Sequence, residues 1–179
     1  MNIYLLKADA NRYQGILPCS DEDWDVFSKF DGNPIKNFWS SIEICFYIED
    51  IDSMPRGDFP ILATHVPVFS RHAVNCLKNT LESNGELLPL KAGTEIYYAY
   101  NVTTLLNALN PIESTIIRFS TGELMDIEKY SFFAEQIINT DIFKIPQAST
   151  MDVFVTDGFV EKVKDYQLTG FIFKLVWTG

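Results

Sequence analysis

Apolar and polar positions change period often along this chain, and the changes divide it into many short elements. Residues 1–6 and 43–48 (EICFYI) are apolar runs rich in β-forming side chains and predict strands. Ala73, Val74, Leu77 and Leu81 recur on one helical face. Ser70 stands where its hydroxyl can accept from the first free amides, and Asn84-Gly85 offers a left-handed stop, so a helix is predicted over 71–84. GELLPL (85–90) and EIYYAY (95–100) read as strands joined at Ala92-Gly93. Val102, Leu105, Leu106 and Leu109 again share a helical face, with Asn101 as cap and Pro111 beyond the end, which predicts a second, short helix.

Further strands are expected at 115–119, 124–132 and 142–145, the first two joined by a turn at Thr121-Gly122. DVFV (152–155) predicts a short strand, followed by a helix capped by Thr156 or Asp157 and carrying Phe159, Val163 and Tyr166. Gly170 then releases the chain into a closing strand, FIFKLVW (171–177). Asp31-Gly32-Asn33-Pro34 is a loop of turn residues. About eight strands and three or four helices without regular βαβ alternation point to α+β: mixed, mainly antiparallel sheets in one compact chain. The strongest break, DSMPRGDFP (52–60), is read as a lobe boundary, with an acidic N-terminal lobe (1–58) packed on an α+β domain (59–179).

The 179 residues are 47% hydrophobic and 21% charged, which excludes a disordered chain and allows a real core. The formal charge of −10 disfavours a nucleic-acid partner, since phosphate binding needs a basic stripe, and it suits a basic protein partner. The charge is unevenly placed: −6 over residues 1–60, zero over 61–120 and −4 over 121–179. Within the first third, Asp21, Glu22, Asp23 and Asp25 surround Trp24, and Glu49, Asp50 and Asp52 surround Ile51. These eight residues other than Ile51 are the candidate partner contacts; a solubilising face is the plain alternative.

Candidate chemistry is sparse. His65 and His72 are the two histidines, and neither lies in a nucleophile motif such as G-x-S-x-G. The nine glycines form no phosphate-cradling loop, and Asp31-Gly32-Asn33-Pro34 is not a calcium loop, so no cofactor and no metal are expected. The tyrosines at 97, 98 and 100 and the aromatics at 171, 173 and 177 are expected in the core rather than on a base-stacking platform. Cys19, Cys45 and Cys76 are isolated in sequence, which suggests three thiols in a reducing compartment. Without a long apolar run or a signal-like start, a cytoplasmic protein with no membrane association is expected.

Four stretches in the last two thirds of the chain carry a resemblance. They are Pro67-Val68-Phe69-Ser70 through Leu81-Glu82-Ser83-Asn84-Gly85 to Leu90; Tyr97-Tyr98-Ala99-Tyr100-Asn101-Val102 with Asn107-Ala108-Leu109-Asn110 and Ser114; Ile142-Phe143-Lys144-Ile145-Pro146; and Val153-Phe154-Val155-Thr156-Asp157 through Leu168-Thr169-Gly170-Phe171. In order and spacing, residues 59–179 resemble the family numbered eleven among the immunity proteins of bacterial polymorphic-toxin systems. The second and third stretches are similar to its Y-Y-x-x-N-V, A-L-D-x-x-x-S and I-F-R-x-P patterns, with Asn110 where aspartate is usual. The resemblance implies a cytosolic, non-enzymatic protein that binds and neutralises one secreted toxin, and it transfers no catalytic residue. Two other readings remain open at this point: a small enzyme using carboxylates as acid and base, and a general protein-interaction scaffold.

Overall fold

A computed structural model describes residues 1–47 and 54–179. Glu49, Asp50 and Asp52, three of the candidate contacts, therefore lie outside the described residues. Strand β1 (Asn2–Ala8) alternates its apolar side chains, so Ile3 and Leu5 enter one core while Tyr4 and Leu6 enter another. It lies inside a four-stranded antiparallel sheet of order β11-β1-β10-β9, with β9 at Ile142–Phe143, β10 at Phe154–Thr156 and β11 at Phe171–Thr178.

A second sheet of five strands has the order β2-β3-β5-β6-β4, formed by Ile16–Pro18, Ile42–Phe46, Gly85–Ala92, Glu95–Val102 and Val68–Ser70. Its β3–β5 pair is parallel and the others are antiparallel. Strands β7 (Thr115–Arg118) and β8 (Leu124–Lys129) make a separate ribbon. The α+β expectation holds, with strands in the majority. The described residues include three α-helices: a single turn, α1 (Trp24–Phe27), and the longer α2 (Arg71–Asn84) and α3 (Asp157–Asp165).

Helix α2 forms as its spacing predicts. Ser70 Oγ accepts from the Ala73 amide, and Ala73, Val74, Leu77 and Leu81 are buried. It packs with α3 against both sheets around Phe59, Phe69, Tyr100, Phe159 and Leu168. Its end differs from the expectation. Gly85 is extended, at φ 177°, and passes directly into β5 instead of turning left-handed. A side chain there would run into the Asn101 carbonyl and come within 2.8 Å of the Tyr100 ring, so glycine is required by crowding between β5 and β6.

The predicted helix near 102–109 does not exist. Its apolar positions satisfy helical spacing, but the backbone is claimed elsewhere. The Leu106 amide donates to Lys144 O at 2.9 Å, the Lys144 amide to Thr104 O at 2.9 Å, and the Phe133 amide to Ala108 O at 2.8 Å. Tertiary pairing overrides a weak local preference. Asn101, expected to cap that helix, is instead a buried residue of β6. At α3, Phe159 and Val163 are buried, but the helix ends before Tyr166, which is exposed. Thr156 makes no side-chain cap there, while Asp157 accepts from the Asn2 amide and the Tyr4 hydroxyl.

The cysteine expectation is corrected. Cys19 and Cys45 form a disulfide, with Cα atoms 5.4 Å apart, that joins the end of β2 to β3; Cys76 is free. Sequence separation hid this pair, because β2 and β3 become neighbours only in the sheet. The bridge closes a separation of 26 residues, for which cross-link entropy gives about 3.5 kcal/mol of stabilisation. Oxidised, denatured protein is expected to titrate one thiol and reduced protein three, with the reduced form less stable by about 2–4 kcal/mol in denaturant unfolding. Three thiols in the oxidised sample would show that the bridge is absent.

Candidate partner-binding surface

The chain leaving the disulfide enters a 3-10 turn at Asp21–Asp23 and then α1, so Asp21, Glu22, Asp23, Trp24 and Asp25 sit together on one short helical segment. The acidic side chains are exposed, apart from the half-buried Asp23, and Trp24 is 38% exposed. The turn stays in place because one of its sides is aromatic. The Trp24 ring meets Phe27 edge-on at 6.1 Å, and buried Phe27 contacts Phe30 at 5.8 Å and Trp39 at 6.1 Å. Trp39 also donates its indole N–H to Pro89 O at 3.1 Å. Its neighbour Phe38 projects outward at 88% exposure, the largest apolar exposure in this part of the molecule. Exposed aromatics rimmed by carboxylates are a composition suited to a protein interface.

Beneath this surface lie buried or half-buried polar residues that were not among the candidate contacts. Lys144, fully buried, donates through Nζ to Phe30 O and, at 3.3 Å, to His65 O. His65 Nε2 lies 3.0 Å from Phe27 O and donates to it. Asn101, also fully buried, donates to Asn33 O at 2.8 Å and to Glu86 Oε2 at 3.0 Å. Glu86 Oε2 in turn accepts the Ile35 amide at 2.8 Å. The loop at residues 31–34 forms as predicted, with Gly32 at φ 104° pressed against Leu105. A lysine within IFKIP and an asparagine within YYAYNV were the available signals, because each breaks an apolar run that is otherwise core.

Burial pushes the Lys144 ammonium down to about 8, with nearby Asp31 opposing the shift. The unfolded chain therefore holds a proton between about pH 8 and 10.5 that the native protein lacks, so stability rises with pH across that window, by about 3 kcal/mol in full. Above about pH 10 the sign reverses. Burial raises Tyr100 and Tyr130, which stay protonated in the native state while the unfolded tyrosines ionise. Unfolding free energies are thus expected to climb from pH 7 to 10 and then fall, and Lys144→Met should flatten the climb. A flat wild-type profile would contradict the buried charge.

The remaining polar clusters tie elements together. Asp58 accepts from Ser70 Oγ at 2.7 Å and from the Thr169 amide at 3.0 Å, and it faces His72 Nδ1 at 3.2 Å. Burial works against this carboxylate, but these donors outweigh it and hold it below the usual range. The contact explains the Leu168-Thr169-Gly170 turn: Thr169 grips Asp58, and Gly170, at φ 89°, lets the turn approach the Phe59 backbone. A cleft of about 500 Å³ between β1, β8 and β11 holds Asp126, Glu128 and Asp152. Asp152 is engaged by Lys7 at 2.8 Å and by the Tyr130 hydroxyl at 3.0 Å. Among the described residues no group of three or more metal-ligating side chains converges, and no helix is long and apolar enough to cross a membrane.

Residues 91–178 match the Immunity protein family (Imm11). Three of the four stretches that carried the resemblance fall in or run through this segment; the first, at 67–90, precedes it. No curated protein matches the chain.

Proposed function

We propose that this chain, whose residues 91–178 carry the immunity-family sequence, is an immunity protein that binds and neutralises one secreted bacterial toxin without catalysing a reaction. The family match is the observation that carries the reading. The acidic, aromatic surface at 21–25 supports it as the contact region, with Glu49, Asp50 and Asp52 as further candidates, and the net charge of −10 favours a basic partner. Inhibition of this kind depends on anchored aromatics and complementary charge rather than on a reactive group. The toxin encoded beside the gene is the probe: the two proteins should copurify, and co-expression should restore growth. A toxin that neither copurifies nor loses its toxicity overturns the reading.

Action in the cytoplasm completes the proposal. The Cys19–Cys45 bridge weighs against it, because disulfides are rare in a reducing compartment. Cell fractionation decides between the two: the protein should be recovered with the cytoplasmic fraction, and recovery with the periplasmic or secreted fraction would overturn this part of the reading.

A further inference from the structure

We propose that Asn101 and Lys144 are positioning residues for the partner-contact segment, holding residues 27–36, and through them the Trp24 turn, in a single arrangement. The inference rests on reading residues 21–25 as the contact face. Both side chains are fully buried, and both are costly choices for a core. Lys144 takes an ammonium group out of water, and Asn101 Oδ1 has no hydrogen-bond partner. An apolar residue of similar volume would avoid either cost.

What the two residues accomplish is directional. Each donates to a main-chain carbonyl of an N-terminal segment that consists of single turns and loops: Lys144 to Phe30 O and Asn101 to Asn33 O. Lys144 reaches the same segment a second time, through His65 O and the His65 ring bonded to Phe27 O. Two of the three anchored carbonyls belong to Phe27 and Phe30, the rings on which Trp24 and Trp39 rest, and the third to Asn33 in the loop that follows. Glu86 closes the arrangement, accepting the Ile35 amide and the Asn101 side chain. Such a segment has few strand or helix bonds of its own and would otherwise open locally at low cost. Holding it in the binding conformation lowers the entropy lost on association. Both anchors lie within the family-matched residues and both act on residues outside them. The matched scaffold thus sets the posture of an unmatched surface.

Full-length Lys144→Met, Asn101→Leu and Lys144→Arg proteins test this. Hydrogen exchange on the free proteins should show amides of residues 20–39 exchanging at least about 10-fold faster in the methionine and leucine variants. Amides of β1, β10 and α2 should keep their wild-type rates, and arginine, which retains the donors, should restore slow exchange at 20–39. This measurement needs no partner. The neighbouring toxin should then bind the methionine and leucine variants about 10-fold or more weakly, and the arginine variant normally. Unchanged exchange at 20–39, or protection lost evenly across the chain, overturns the positioning role. Local loosening with wild-type affinity overturns the link to partner contact. Wild-type protein that fails to bind the toxin sinks the immunity reading instead, while leaving the exchange result standing.

Discussion

Replacing Asp21, Glu22, Asp23 and Asp25 together with lysine is expected to slow capture of the partner by about 10³-fold at low salt and to leave the fold unchanged. The four positions share one short helical segment, so the substitution reverses the charge of a single patch from −4 to +4 and takes the net charge from −10 to −2. Long-range steering acts on encounter, so the loss should appear in the association rate and shrink as salt rises. Trp24→Ala in the same surface should act mainly on dissociation, because it removes a seated aromatic rather than a field. Stopped-flow association at low and high salt separates the two effects. An association rate and salt slope unaffected by the fourfold reversal would show that this patch is only a solubilising surface. Surface positions of this kind contribute little to stability, so the thermal midpoint serves as the control.

Gly85→Val is expected to cost about 4 kcal/mol or to prevent folding. The reason is not a special dihedral, since φ at Gly85 is extended. The obstacle is Asn101, whose carbonyl lies where the first side-chain carbon would go, with the Tyr100 ring also within 2.8 Å of that position. Neither neighbour can yield. Tyr100 is fully buried, and its hydroxyl donates to Leu81 O at 2.8 Å. Asn101 pairs with Glu86 across β5–β6 and anchors residue 33. Urea unfolding measures the loss, and a Gly85→Val protein within about 1 kcal/mol of wild type would show that the strands part there easily. Because this position also sets the register that carries Asn101, a partially folded variant should lose partner binding as well.

Elements with strong local signals were legible from the sequence. Helix α2, the β5–β6 hairpin around Gly93 and the closing strand β11 each combine a clear period with turn or cap residues, and they form within a residue or two of expectation. Errors arose where distant backbone competed. The stretch at 102–109 has helical spacing but pairs with residues 132–144. The acidic residues around Trp24 could be read as a group because they are sequence neighbours, and the structure keeps them on one turn. Phe38, as the exposed companion of Trp39, gave no signal, since an aromatic beside a tryptophan normally reads as core.

The α+β class, the main helix and hairpin, the placement of acidity toward the N-terminal third, and the family match of residues 91–178 are all readable along the chain. All of these depend on periodicity, composition or order along the chain. The tertiary structure alone decided that Cys19 meets Cys45, that β1 lies between β11 and β10, and that Lys144 and Asn101 hold a segment more than 65 residues away from each. Each of these depends on which backbone groups find partners once the core closes. A buried carbonyl must be satisfied by whatever donor the fold brings near, and sequence distance carries no record of that choice.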